Sequence, residues 1–247
     1  IADIFTHTQP EESFGGILGL SMGEGKTATT LATIFSNKAD NEWLQAKTEK
    51  PRSAATLIVC PPTLLTQWED SIKTAAIQPK VYLHYNQQKK LRHKNREEIL
   101  SNDYDIILTT YPVISNDIRT SLDIDFWRIV LDESHNYKPS SQTAFAVISL
   151  SGRNRWCLSG TPLETITSLI TQMNFLKLGP LTHKTNLDYI AIHPERTRSL
   201  LSHLIFKLKK PNNIDEKEQQ YAHQPPELPP LKYEIKTVPL KEDEASK

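Results

Sequence analysis

The chain has 247 residues, and its 29 Lys and Arg balance 29 Asp and Glu, giving a formal net charge of +0. That length holds one large α/β domain with a tail, or two small domains, and the neutral balance excludes a global basic field, so any nucleic-acid contact has to be local. Its two cysteines, Cys60 and Cys157, lie far apart in apolar runs, which excludes a zinc cluster or disulfide framework and predicts a reducing intracellular compartment.

The sequence opens at Ile1 rather than Met and is expected to be an excised or processed piece. No charged-then-apolar leader precedes the first motifs, and no apolar run approaches the roughly 18 residues of a membrane span. The first predicted strand, Gly16 to Gly19, runs into Met22-Gly23-Glu24-Gly25-Lys26-Thr27 and then a predicted helix from Lys26 to Asn37. A Gly-rich turn at a helix N-terminus turns backbone N–H groups toward an anion, so this segment reads as a phosphate loop. In that reading Met22, Gly23, Glu24, Gly25, Lys26, Thr27 and Ala28 form the nucleotide cradle. Lys26 reaches the terminal phosphates of ATP and Thr27 ligates Mg²⁺. The full motif asks for Gly five residues before Gly25, where Leu20 stands, so a Gly-rich turn with an incidental lysine is the competing reading.

Residues 38–55 are polar and contain Pro51, which predicts an exposed insertion. Predicted strands follow at Thr56 to Cys60, Lys80 to His84, Asp105 to Thr109, Arg128 to Leu131 and Arg155 to Leu158. Helical patterns separate them at Leu64 to Ala75, Asn95 to Ser101, Ser141 to Leu150 and Leu163 to Leu176. Strands alternating with helices predict an α/β fold: a doubly wound, mostly parallel sheet with helices on both faces and one crevice at the strands' carboxyl ends.

The strand Ile129-Val130-Leu131 ends in Asp132-Glu133-Ser134-His135. Adjacent residues at a strand end point in different directions. Asp132 can therefore hold Mg²⁺ while Glu133 orients the attacking water. An acidic turn that merely caps an element is the alternative, and an upstream phosphate loop in the same α/β pattern weighs against it. Trp68, Trp127 and Trp156 sit in apolar patterns and read as core rather than as platforms for stacked bases. The basic run of Lys89, Lys90, Arg92, His93, Lys94 and Arg96 reads first as a solvated face and second as a phosphate contact.

After Gly179 the strand-helix alternation decays. A mixed helical stretch near Arg196 to Lys207 leads into a charged, Pro-rich linker, and Leu231 to Leu240 alternates like a strand without partners.

Five ordered blocks together resemble the ATP-binding lobe of the Swi/Snf-type ATPases in helicase superfamily two. GGILGLSMGEGKTATTLATI resembles their motif I, LIVCPPTLLTQWEDSI their motif Ia and DIILTTY their motif Ib. FWRIVLDESHNYKP resembles motif II, and RWCLSGTPLETITSLITQMNFLKLGP resembles motif III with its following helix. WRIVLDESH, RWCL and LPPLKYEIKTVPL look most like the DNA-repair subgroup that includes the helicase-like transcription factor.

The resemblance implies a RecA-like P-loop NTPase lobe over residues 1–180, followed at 181–247 by a helical extension and linker toward a second lobe. It implies ATP and Mg²⁺ as cofactors, Lys26, Asp132 and Glu133 as catalytic residues, and Thr27 and Asp132 as metal ligands. His135, Ser159, Gly160 and Thr161 would couple the nucleotide state to DNA or the other lobe. Pro61, Thr63 and Gln67, with Thr109 and Thr110, would lie along the backbone of double-stranded DNA. Hydroxyls and amides at strand ends contact phosphates without reading sequence, which agrees. For Thr63 a helix cap, for Ser159 a turn, and for His135 a solvated or capping role remain open. Nucleosomes as partners and a nuclear location are implied as well.

The chain departs from the resembled pattern at Leu20, Ser21 and Glu24 in the phosphate loop and at Glu164-Thr165 after motif III. A carboxylate inside a phosphate cradle weakens anion binding unless it points outward. Two further classes therefore stand beside the motor reading. One is a degenerate lobe that serves as a nucleotide- or DNA-binding scaffold; the other is an unrelated phosphate-loop kinase, which leaves the DESH and SGTP blocks unexplained.

Overall fold

The fold is described from a computed structural model, which places residues 14–21, 23–85, 92–136, 141–162, 165–178 and 205–206. All of them fall within the first of two compact units, Ile1–Leu208. In chain order the elements are β1 (Phe14–Leu18), α1 (Lys26–Ser36), α2 (Asn41–Gln45), β2 (Arg52–Cys60), α3 (Leu65–Lys73) and β3 (Val81–His84). They continue with α4 (Arg92–Leu100), β4 (Ile106–Thr110), α5 (Tyr111–Asp117), β5 (Asp125–Leu131), α6 (Gln142–Ser149), β6 (Ser151–Leu158), α7 (Ile166–Phe175) and β7 (Ile205–Phe206).

The seven strands form one sheet in the order β3-β4-β2-β5-β6-β1-β7, and every pairing is parallel. Parallel neighbours need a crossover between them, so the helices cover both faces. Alternate residues of each strand sort into two cores. Leu57, Val59, Ile107, Ile129 and Leu131 pack with Tyr111, Val147, Leu169 and Phe175 on one side. Ile58, Cys60, Leu108, Val130 and Leu158 pack with Leu31, Ile34, Leu65 and Trp68 on the other. The predicted α/β fold class is what the structure contains.

Predicted strands and long helices fall on observed ones within a few residues at each end. Two helices were not expected. α5 is seven residues long with Pro112 in its first turn, and α2 is five, both too short for a helical period to register in the sequence. The expected exposed insertion holds for most of residues 38–51 and fails at Trp43 and at 52–55. Trp43 in α2 is buried and meets Trp127 edge-on, with ring centroids 5.3 Å apart. Arg52 lies 4.6 Å over the Trp43 ring, donates to the Trp43 carbonyl and pairs with Asp125 at 3.3 Å. The segment is therefore folded against the start of β5, and β2 begins at Arg52 rather than Thr56.

Arg128 fixes α1 relative to the sheet. It is 2% exposed, and it donates to Thr56 Oγ1 at 3.1 Å and to the Asn37 carbonyl and Oδ1 at 2.7 and 2.6 Å, closing the C-terminal end of α1. Burial pushes its guanidinium down to about 10, so it stays charged at neutral pH. With the far end of α1 pinned, its N-terminus is held at the carboxyl edge of the sheet.

Ile205 and Phe206, expected within a helical stretch, instead form an edge strand paired with Ile17 and Leu18. The rest of that stretch, Leu231 to Leu240 and Lys89 and Lys90 lie outside the described residues, as do the side chains of Arg92, His93 and Lys94. Arg96 donates to the Asp123 carbonyl at 3.2 Å. Cys60 and Cys157 are buried free thiols. Among the described residues no helix is long and apolar enough to cross a membrane.

Gly15 shows how closely β1 and β6 approach. It has φ +154°, and a Cβ built there would lie 1.7 Å from the Arg155 carbonyl oxygen. Gly15→Ala is expected to destabilise the fold by about 3 kcal/mol, the upper part of the usual overpacking range. A denaturant midpoint within error of wild type would contradict that contact.

Candidate nucleotide site

The loop after β1 turns into α1 through two left-handed glycines, Gly23 at φ 82° and Gly25 at φ 86°, a conformation that disfavours any side chain. Gly25 is the N-cap of α1, and no side chain caps that end. The N-terminal N–H groups of α1 are thus left to an incoming anion, aided by the helix dipole. Met22 lies outside the described residues. Glu24 is exposed, and its carboxylate folds back to accept the Ser21 N–H at 2.6 Å. The charge is held by the loop itself, though it stays beside the cradle.

Lys26 Nζ donates to the carbonyls of Leu20 at 2.9 Å and Ser21 at 3.3 Å. Both contacts are to neutral groups, so the ammonium charge is not cancelled by a bonded carboxylate. Across the mouth of the loop stands the end of β5. Asp132 is 6% exposed, with Oδ2 accepting from Trp68 Nε1 at 2.8 Å and Oδ1 from the Glu133 N–H at 3.0 Å. Burial pushes its carboxyl above the usual carboxylate range, while the Trp68 hydrogen bond and the Lys26 charge pull it back. Next along β2, burial and the Asp132 charge push the Cys60 thiol up to about 12, which leaves it protonated and unreactive.

Lys26, Thr27, Ala28, Asp132 and Glu133 line a single cleft of about 680 Å³ with Gly23 and Gly25. Two segments more than a hundred residues apart thus meet as the sequence expects. Among the described residues no three His, Cys, Asp or Glu cluster to hold a metal unaided. A hydroxyl and one carboxylate beside a phosphate cradle suit a hard cation that takes its other ligands from phosphate and water, as Mg²⁺ does.

Glu133 takes a left-handed backbone, φ 49°, uncommon outside Gly, Asn and Asp, and its carboxylate meets His135 where that of Asp132 meets Trp68. Its Oε2 lies 3.3 Å from His135 Nδ1, which in turn lies 2.8 Å from Ser159 Oγ. Ser159 Oγ also accepts the Thr161 N–H at 3.1 Å, and the Ser159 N–H donates to the Leu18 carbonyl. A Cβ built on Gly160 would lie 4.0 Å from Lys26 Nζ. His135, Ser159 and Thr161 are thus linked by hydrogen bonds behind the acidic turn, and Gly160 lies near Lys26 of the phosphate loop.

The five residues expected along DNA separate. Pro61 is partly buried at the end of β2, and Thr63 is exposed and caps neither the short turn Pro62–Leu64 nor α3. Gln67 lines the nucleotide-sized cleft instead. Thr109 and Thr110 are fully buried, because α5 starts directly at Tyr111 and covers the end of β4. The Thr109 hydroxyl donates to the His84 carbonyl at 2.8 Å. In this conformation neither threonine hydroxyl is presented to a phosphate. Two residues of the site escaped sequence reading: Trp68, assigned only to the core, and Tyr111, whose hydroxyl donates to the Asp132 carbonyl at 2.7 Å. A buried indole or phenol needs a polar partner, which was the available signal.

Comparison with known proteins agrees with this geometry. The SNF2-related domain family matches residues 3–246. DNA repair protein RAD5B of Arabidopsis thaliana is 34% identical over 203 residues, covering 70% of this chain and 16% of the relative. The helicase-like transcription factor of Homo sapiens is 30% identical over 215 residues, covering 79% of this chain and 20% of the relative. The chain thus spans a fifth or less of either relative's length. The Sulfolobus solfataricus SWI2/SNF2 ATPase core, solved in complex with dsDNA, superposes with a TM-score of 0.62 at 28% identity, over 79% of this chain and 40% of that one. With the family match covering nearly the whole sequence, and a parallel sheet that carries its phosphate loop and acidic turn into one cleft, the chain belongs to the SNF2-related family of helicase-like ATPase domains.

Proposed function

We propose that residues 1–180 are the first of two motor lobes that bind ATP with Mg²⁺, hydrolyse it in response to double-stranded DNA and drive translocation along the duplex. Residues 181–247 would then lead toward the second lobe. The observation that carries this reading is the shared cleft of Lys26, Thr27, Asp132 and Glu133, with the His135–Ser159 contact leading away from it.

In that mechanism the α1 N-terminus and Lys26 bind and orient the phosphates, and Asp132 and Thr27 hold the cation. Bound Mg²⁺ would neutralise phosphate charge at the reacting end. Glu133 orients the attacking water, and its closeness to His135 ties that orientation to Ser159. No arginine among the described residues lines the cleft. A transition-state arginine, worth orders of magnitude in phosphoryl transfer, is accordingly assigned to the second lobe.

Similarity to a core solved with dsDNA supports duplex DNA as the partner, with Pro61 and Thr63 at the backbone. Relatives named for DNA repair and transcription support a role in repair or chromatin remodelling, with nucleosomal DNA as a further substrate and a nuclear location. Phosphate release by the intact protein is expected to rise severalfold on adding duplex DNA of arbitrary sequence, and to fall again as salt rises. Turnover indifferent to DNA would defeat the motor reading. The Glu24 carboxylate, exposed and bonded back to Ser21 within the phosphate loop, leaves a negative charge near the cradle and favours a second reading, a scaffold with little turnover. Absence of Mg-ATP binding in a calorimetric titration would select that alternative.

A further inference from the structure

Helix α3 buries Leu65, Trp68 and Ile72, a stripe at helical spacing that packs over β4 and against α1, in the core that also holds Ile58 and Val130. Trp68 is 2% exposed, and its N–H leaves this apolar stripe to reach Asp132 Oδ2 at 2.8 Å, across 64 residues of sequence. Asp132 is thereby held at three points: Oδ2 by Trp68, Oδ1 by the Glu133 N–H at 3.0 Å, and its backbone carbonyl by the Tyr111 hydroxyl at 2.7 Å. The first of these comes from a helix along the nucleotide cleft, since Trp68 lines that cleft with Lys26 and Thr27.

A carboxylate with one oxygen engaged by a fixed donor has its rotamer set, and it presents its remaining lone pairs in a defined direction. Groups that fix a ligating carboxylate in this way matter nearly as much as the ligand. We propose that Trp68 is a positioning residue whose indole N–H fixes the Asp132 carboxylate for Mg²⁺–nucleotide. The inference rests on the proposed ATP site and adds a role there for α3, whose leading turn carries Thr63.

The test is a titration of the full chain with a fluorescent ADP analogue, once with Mg²⁺ and once with EDTA. Wild type is expected to bind more tightly with Mg²⁺. In Trp68→Phe the ratio of affinity with Mg²⁺ to affinity in EDTA is expected to shrink by about tenfold or more, the usual result of removing such a support. A purely structural Trp68 would weaken both titrations together, and a full Mg²⁺ gain in the variant would equally overturn the proposal. Should the phenylalanine variant fail to fold, 3-benzothienylalanine at position 68 keeps the ring shape and replaces only the N–H. The same two outcomes then apply to it. A wild type without any Mg²⁺ gain would overturn the proposed cation site and this inference with it, a result distinct from a variant that behaves as wild type.

Discussion

Glu133→Gln is expected to reduce DNA-stimulated phosphate release by the intact protein about 100- to 10,000-fold, the usual contribution of a positioned general base. Affinity for Mg-ADP is expected to stay close to wild type. The amide keeps the size of the carboxylate and can follow the same left-handed backbone at φ 49°, so the turn should survive. What it loses is the charge that polarises water. The substitution also alters the 3.3 Å contact with His135 Nδ1, so part of the loss should appear as weaker stimulation by DNA rather than slower basal turnover. Rapid-quench measurement of a single turnover, beside nucleotide binding, separates these effects. Wild-type turnover in this variant would remove Glu133 from the chemistry.

Lys26→Ala should act earlier, at binding. Among the described residues the ammonium donates to the Leu20 and Ser21 carbonyls, so it is poised to exchange neutral partners for phosphate oxygens. Truncating one member of a charge-assisted pair costs about 2–5 kcal/mol, which corresponds to a loss of roughly 30- to 5,000-fold in Mg-ATP affinity. The fold itself should change little, since Lys26 is only half-buried and two backbone carbonyls regain water on its removal. Calorimetric titration with Mg-ATP, paired with a thermal melt, checks both halves of the expectation. Undiminished affinity would mean that the phosphates bind elsewhere.

Much of this arrangement is written locally. β2, β4 and β5 are short runs of apolar, often β-branched residues, and α6 and α7 begin behind Ser141 and Thr165, whose side chains accept from Ala144 and Ser168 as N-caps do. The phosphate loop and the acidic turn are each contiguous, so their chemistry can be read without knowing the fold. What the sequence hides are contacts between distant segments. Trp68 looks like any core tryptophan until Asp132 is brought beside it, and Arg128 looks like the polar start of a strand until Asn37 closes over it. Thr109 and Thr110 end a strand in a family-like motif, yet α5 follows without a linking residue and buries them. α2 and α5 went unread because five to seven residues hold less than two helical turns.

The last described strand has a mechanical consequence. β7 runs parallel to β1 with Phe206 level with Leu18, and the Gly19 N–H donates to the Phe206 carbonyl at 2.8 Å. Two residues of ladder are easily peeled from a sheet edge, yet this pair is stitched to the very residue where the phosphate loop departs. Tension on the polypeptide beyond Phe206 would therefore be felt first at Gly19, seven residues before Lys26, so that a tug at this tether and the grip on a nucleotide become two ends of one short lever.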